Sequence, residues 1–225
     1  MGDELYIGLS GALAASRQLE ATANNAANSS TGGYKAARMA FEQFEGDLAG
    51  TATAVADTRN GALQTTENPL HFGVQGDAWM VVQVGDEPML TRDGNFRMNA
   101  DGGVVNSAGH PVMTTSGPLK IEPGQTISVD LAGNITSGED ELGQLKLVTA
   151  TNVEPAGDNL YRGDEVAPAT DYSVKQGALE GSNSDPVRTM TDLIEASRYF
   201  EAMQKLLQAA DEMTQRANRS AGGST

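Results

Sequence analysis

This chain contains no cysteine, which excludes disulfides, thiolate catalysis, iron–sulfur clusters and cysteine-based zinc sites. It is also poor in apolar matter. Only 39% of its 225 residues are hydrophobic and 5% aromatic, so any core is lean despite ample length for one large or two small domains. No run of about 18 apolar residues occurs, and no segment qualifies as a transmembrane helix. Basic charge is scarce as well: 15 Lys and Arg stand against 30 Asp and Glu, a formal charge of −15. A phosphate-binding face is missing, which argues against nucleic acid as a partner. Asp3 and Glu4 occupy the place of the basic region of a Sec-type signal, so export would proceed without a cleavable signal peptide.

What is present is unevenly placed. Residues 1–41 carry three acids and three bases, and residues 183–225 carry six acids and five bases. The middle, 42–182, holds 21 acids against seven bases. Acidity therefore belongs to the body, which it keeps soluble, while the two ends are nearly neutral and suited to packing against like segments.

Both ends are Ala-rich and periodic. Leu5, Leu9, Ala12, Ser16, Leu19, Ala23 and Ala26 follow alternating four- and three-residue steps, the a/d spacing of a coiled coil. A helix of about 24 residues here would be roughly 36 Å long. Gly8 and Gly11 each cost about 1 kcal/mol against Ala, yet with Ala12 and Ala15 they make a side of little bulk, fit for close helix approach. Asn24, Asn25 and Asn28, followed by Thr31-Gly32-Gly33, predict its end. The C-terminal helix is predicted to start at Pro186 behind Asp185 as cap. Its seam reads Leu193, Ala196, Phe200, Met203, Leu207, Ala210, Thr214 and Ala217, and Val187, Met190 and Ile194 form a second apolar stripe. Residues 220–225 read as a flexible tail. Neither helix has the bulk to hold alone, so both are expected to be largely disordered in a free subunit and to order on assembly.

The middle reads as antiparallel β. Candidate strands are 70–75, 79–84, 95–98, 103–106, 111–114, 127–131 and 144–150, separated by turn signals such as Asp93-Gly94 and Asp101-Gly102. Trp79 is a core anchor, and residues 46–62 an extended connector. The predicted fold class is α+β: long N- and C-terminal α-helices packed together, with an inserted antiparallel β-rich domain. Its parts are an N-terminal helix (1–30), an extended or β connector (31–66), the β domain (67–176) and a C-terminal helix with its tail (177–225).

No constellation supports catalysis, a cofactor or a metal. His71 and His110 have no ligand spacing around them. Glu139-Asp140-Glu141 is consecutive, whereas a calcium loop places carboxylates at alternating positions around a tight Gly turn. Phosphate loops and nucleophile elbows are missing. The remaining reading of another class is a secreted acidic β-domain that binds a ligand or calcium, with helices serving only for oligomerisation.

Four blocks in order carry a resemblance. Residues 23–36, Ala-Asn-Asn-Ala-Ala-Asn-Ser-Ser-Thr-Gly-Gly-Tyr-Lys-Ala, include Asn24, Asn25, Asn28, Gly33 and Tyr34. Residues 69–82 run Pro-Leu-His-Phe-Gly-Val-Gln-Gly-Asp-Ala-Trp-Met-Val-Val, and residues 91–96 run Thr-Arg-Asp-Gly-Asn-Phe. Residues 177–201 hold Leu179, Glu180, Ser182 and Asn183. This pattern resembles the axial rod and hook proteins of the bacterial flagellum. Gly32 departs from it, standing where the family usually has Pro. Ala78-Trp79 and Gly109-His110-Pro111-Val112 look most like the proximal-rod member that adjoins the distal rod; a distal-rod or hook-type subunit is the alternative. The resemblance implies a non-enzymatic subunit exported by the flagellar type III apparatus. Such subunits polymerise with themselves and with other rod subunits around a central channel, helices innermost, and transmit torque across the periplasm to hook and filament.

Overall fold

The computed structural model describes residues 2–42, 51–122, 124–138 and 140–222, and the fold is α+β. Two compact units share the chain: residues 1–27, 37–54 and 186–225 form one, and residues 28–36 and 55–185 the other.

The first unit contains α1 (Gly2–Ala27), β1 (Ala37–Glu42) and α2 (Pro186–Gly222). The helix starts at Pro186 as the Asp185-Pro186 pair predicts, because proline's missing N–H is harmless in a first turn. It runs on through Gly222, so residues 220–222, read from sequence as tail, are helical; 223–225 lie outside the described residues. α1 ends at Ala27, where Asn28 begins a turn with Thr31 N donating to its carbonyl at 3.1 Å. Gly11 faces Met203: a Cβ on Gly11 would lie 2.5 Å from the Met203 thioether methyl.

The second unit follows from short alternating segments. After β2 (Thr51–Ala56), which pairs with β1 and crosses into this unit, come β3 (Leu63–Thr65), β4 (Phe72–Gly76), β5 (Trp79–Val84) and β6 (Glu87–Thr91). Four two-residue strands follow: β7 (Arg97–Met98), β8 (Val104–Val105), β9 (Met113–Thr114) and β10 (Gly117–Pro118). Then come β11 (Ser128–Val129), β12 (Asn134–Ser137), β13 (Asp140–Gln144), β14 (Leu147–Gly157) and β15 (Leu160–Pro168). β16 (Tyr172–Gln176) and β17 (Ala178–Glu180) complete it. All registered pairings are antiparallel, and β14, β15, β6 and β5 close into a small barrel. β16 returns to β4 with Val174 opposite Val74, and β17 to β3 with Glu180 opposite Leu63.

One apolar cluster, from Phe72 through Val174, fills the interior; a smaller one gathers Ala56, Trp79, Val81, Leu90, Val148, Val153 and Tyr161. Trp79 is fully buried, as its hydrophobic strand requires. Several elements escape the sequence pattern. β6, which was not among the candidate strands, begins at Glu87-Pro88, because the hairpin at Gly85 (φ 59°) is tight enough to let pairing resume at once. β15 lacks alternation because most of it is exposed, with only Leu160 and Tyr161 buried. Within the supposed connector 46–62, β2 is a strand, and 43–50 lie outside the described residues.

Candidate assembly surface and motif junction

The predicted seam residues divide by helix. On α2, Leu193, Phe200, Met203 and Leu207 are half-buried, Ala196 is buried and Ala210 is exposed. On α1 the buried residues are Ala15, Ala21 and Thr22, and Gly11 is half-buried. Ala12, Ser16, Leu19 and Ala26 are half-buried, Ala23 is exposed and Leu9 is 51% exposed; the side chain of Leu5 lies outside the described residues. Ala and Gly carry little bulk to mark one face of α1.

Large apolar side chains remain in solvent along both helices. Leu9 and Leu13 are exposed on α1, and Val187, Met190 and Ile194 on the first turns of α2. Tyr199, Leu206 and Met213, seven residues apart, are each more than half exposed. At 100° per residue this heptad row lies about a quarter-turn or more from both the Val187 stripe and the half-buried seam. α2 thus presents apolar matter in three directions.

In the same unit Asn25 joins helix to strand. Its carboxamide donates Nδ2–H to the Ala37 carbonyl at 2.9 Å and accepts the Ala37 N–H at 2.8 Å, imitating a backbone bridge. Asn24 is exposed on the adjacent turn.

The other motif residues converge within the second unit, at the segments that lead to the helices. Glu180 is the centre. Its Oε1 accepts from Lys35 Nζ at 2.6 Å and from Gly61 N at 2.7 Å, its Oε2 from Arg92 Nη1 at 3.3 Å, and its carbonyl from Gly33 N at 2.6 Å. The side chains of all three ions are fully buried. Burial pulls the Lys35 and Arg92 pKa values down, and the Glu180 carboxylate opposes that pull on both. Lys35 Nζ also donates to the Arg59 carbonyl, and Arg92 donates to Asn60 Oδ1 and to the carbonyls of Val74 and Gly76. Arg92 lies over the Trp79 ring at 5.1 Å, and Trp79 meets Tyr161 at 5.0 Å. Tyr161 accepts the Lys35 N–H at 2.9 Å; burial raises its phenol pKa and that of the half-buried Tyr34.

Around this ion cluster the backbones touch. Gly33, at φ 67°, lies against the Arg92–Asp93 peptide, where a Cβ would stand 2.4 Å away. A Cβ on Gly61 would meet the Gly181 carbonyl at 2.1 Å. Asn183 closes the set, accepting Ala36 N–H at 2.7 Å and donating to the carbonyls of Asp57 and Arg59. Ser182 Oγ accepts the Ser184 N–H, Asn28 Oδ1 accepts the Thr31 hydroxyl, and Leu179 is half-buried opposite Gln64. Lys35, Asn60, Gly61, Arg92 and Tyr161 were not among the predicted site residues, although Lys35 and Arg92 sit inside the quoted motif blocks.

Among the described residues no group of three or more His, Asp or Glu could hold a metal ion. His71 instead pairs through its ring with Thr66 Oγ1 and Asn68 Nδ2, and Asp140 and Glu141 are exposed on β13, with Glu139 outside the described residues. No described helix is long and apolar enough to cross a membrane.

Three family models match: "Flagella basal body rod protein" over residues 5–35, "Flagellar hook protein FlgE/F/G D1 domain" over 73–137, and "Flagellar basal body rod FlgEFG protein C-terminal" over 175–220. The chain is 30% identical to flagellar basal-body rod protein FlgF of Mesorhizobium japonicum, covering 99% of each protein. It is 32% identical to FlgF of Salmonella typhimurium, over 97% of this chain and 98% of that one. Flagellar basal-body rod protein FlgG of Agrobacterium fabrum is 32% identical over 93% of this chain and 95% of that one. The N-terminal and C-terminal matches fall on the helices and the motif junction, the middle match on the β body, and the chain belongs to the flagellar basal-body rod protein family.

Proposed function

We propose that this chain is a structural subunit of the proximal rod, polymerising helically through α1 and α2 to enclose the export channel and transmit torque. The observation that carries this reading is the apolar surface of the helices. Eight large apolar side chains of the two helices stand exposed, on segments that are almost neutral beside a strongly acidic body. Exposed contiguous apolar rows mark interaction sites, and neutrality lets like helices approach without repulsion. In this reading the seams through Leu5, Leu9, Ala12, Ser16, Leu19, Ala23 and Ala26, and through Leu193, Ala196, Phe200, Met203, Leu207 and Ala210, are the coiled-coil assembly interface. Residues 1–30 and 177–225 form the inner core, and 67–176 the outer domain.

Its partners are further copies of itself, other proximal- and distal-rod subunits and the type III export apparatus. It acts as a scaffold, with no catalysis and no cofactor. The blocks Ala78-Trp79 and Gly109-His110-Pro111-Val112 support the proximal placement, with a distal-rod or hook-type subunit as the alternative. Antibody or density labelling of purified basal bodies tests the assignment. Label within the proximal rod is expected; label confined to the distal rod or hook overturns the proximal placement, and none in the axial structure overturns the subunit reading.

A further inference from the structure

The junction differs from the rest of its unit in what holds it. Neither apolar cluster includes a residue of 28–36, 57–62 or 179–185. These segments are joined instead by polar contacts among themselves: Gly33 N to the Glu180 carbonyl, Ala36 N to Asn183 Oδ1, Gly61 N to Glu180 Oε1, and Gly181 N to the Ala62 carbonyl. The barrel side contributes a prepared platform. Arg92 stacks on Trp79, Tyr161 accepts the Lys35 N–H, and Asn159 Nδ2 donates to the Gly32 carbonyl at 2.7 Å.

Glu180 is the common acceptor of this network, and its charge decides whether the network closes. With it present, two buried cations share one carboxylate. Without it, Lys35 and Arg92 face each other unneutralised in a dry site, where like charge and desolvation both oppose closure. Segments with few buried apolar contacts open at lower free energy than an apolar core, and they open as one unit when one group ties them together. We propose that Glu180 is the latch of a separately opening unit: residues 31–36, 57–62 and 179–184 release together while the barrel stays folded. The two connections to the helices would then be freed, or fixed, in a single event.

Native-state amide hydrogen exchange of the intact chain, across rising sub-denaturing guanidinium, tests this. The amides of Gly33, Lys35, Ala36, Gly61 and Gly181 should converge on one opening reaction. That reaction should be about a hundredfold or more faster than exchange at the interior amides of Val104, Val112 and Leu119. Glu180→Gln should speed every amide of the first set by one common factor of about tenfold or more. Ile135→Val, in the buried interior, should speed the second set by about threefold or more and leave the first unchanged, since the interior stays folded in the local opening. The latch is overturned if the first set exchanges only with the interior amides, or if its members follow unrelated rates. It is equally overturned if Glu180→Gln leaves the first set unaltered, scatters its rates or prevents folding, or if Ile135→Val accelerates both sets alike.

Discussion

Lys35 and Glu180, 145 residues apart in the chain, close a 2.6 Å ion pair with neither side chain exposed to solvent. Both belong to motif blocks, one ahead of the β body and one behind it. Arg92, from the middle block, reaches the same carboxylate. The motifs that identify the family thus meet at one buried ion cluster.

Arg92→Ala should lower stability by about 3–5 kcal/mol, because it strips one partner from a buried network and removes the stack on Trp79. Chemical unfolding followed by the fluorescence of Trp79, the single tryptophan, reads this directly. A loss below about 1 kcal/mol would mean that solvent reaches the cluster.

Two glycines should respond differently to alanine. A Cβ on Gly94 would stand 1.8 Å from the Phe72 carbonyl oxygen, so Gly94→Ala should cost about 3 kcal/mol or more through backbone displacement. Gly109 has open space but a φ of 91°, so Gly109→Ala should cost about 1 kcal/mol by conformation alone. Equal losses in thermal melts would contradict the close crossing at Gly94.

Asp93 gives a pH signature. Burial raises its carboxyl pKa above the usual 3.8, although its carboxylate accepts the Asn95 N–H. Between 3.8 and the raised value the native state holds a proton that the unfolded chain has released. The stability it contributes is complete below that window and is lost as pH rises through the folded value. Asp93→Asn does not titrate, so the stability of the variant relative to the parent should increase with pH across the window and then level off. Denaturation midpoints that diverge in the opposite sense would reverse this assignment.

Leu9→Asp and Leu207→Asp should leave the β body folded yet block incorporation, because each puts a carboxylate into a helix seam of the proposed rod. Normal swimming by cells carrying either variant would remove that residue from the interface.

Helicity should also rise on assembly. Far-ultraviolet circular dichroism of the dissociated subunit should show less helix than the polymer, since so little of either helix is apolar and buried. Equal helicity in the two states would show that the helices form unaided.

Sequence periodicity made the helices legible because Pro186, Asn28 and the apolar steps are local signals. On α2 the larger side chains Leu193, Phe200 and Leu207 are half-buried and mark a face by their size. On α1 no such mark exists, because Gly11 and Ala15 are distinguished from their neighbours by smallness alone. β15 was hidden because an exposed strand needs no alternation. The ion cluster was hidden for a different reason: Lys35, Arg92 and Glu180 are each ordinary charged residues, and only the crossing of three distant segments makes them partners. Their places inside the motif blocks were the one available sign.

The antiparallel pairing of β17 with β3 has a mechanical consequence. Glu180, at the end of β17 that continues toward α2, lies opposite Leu63, while the end of β3 that continues into the body lies opposite Ala178. A pull on β17 from its Glu180 end, with β3 held from its Thr65 end, therefore draws the two strands lengthwise past each other. The ladder is loaded in shear, with all its bonds sharing the force at once, where a peeling geometry would break them singly.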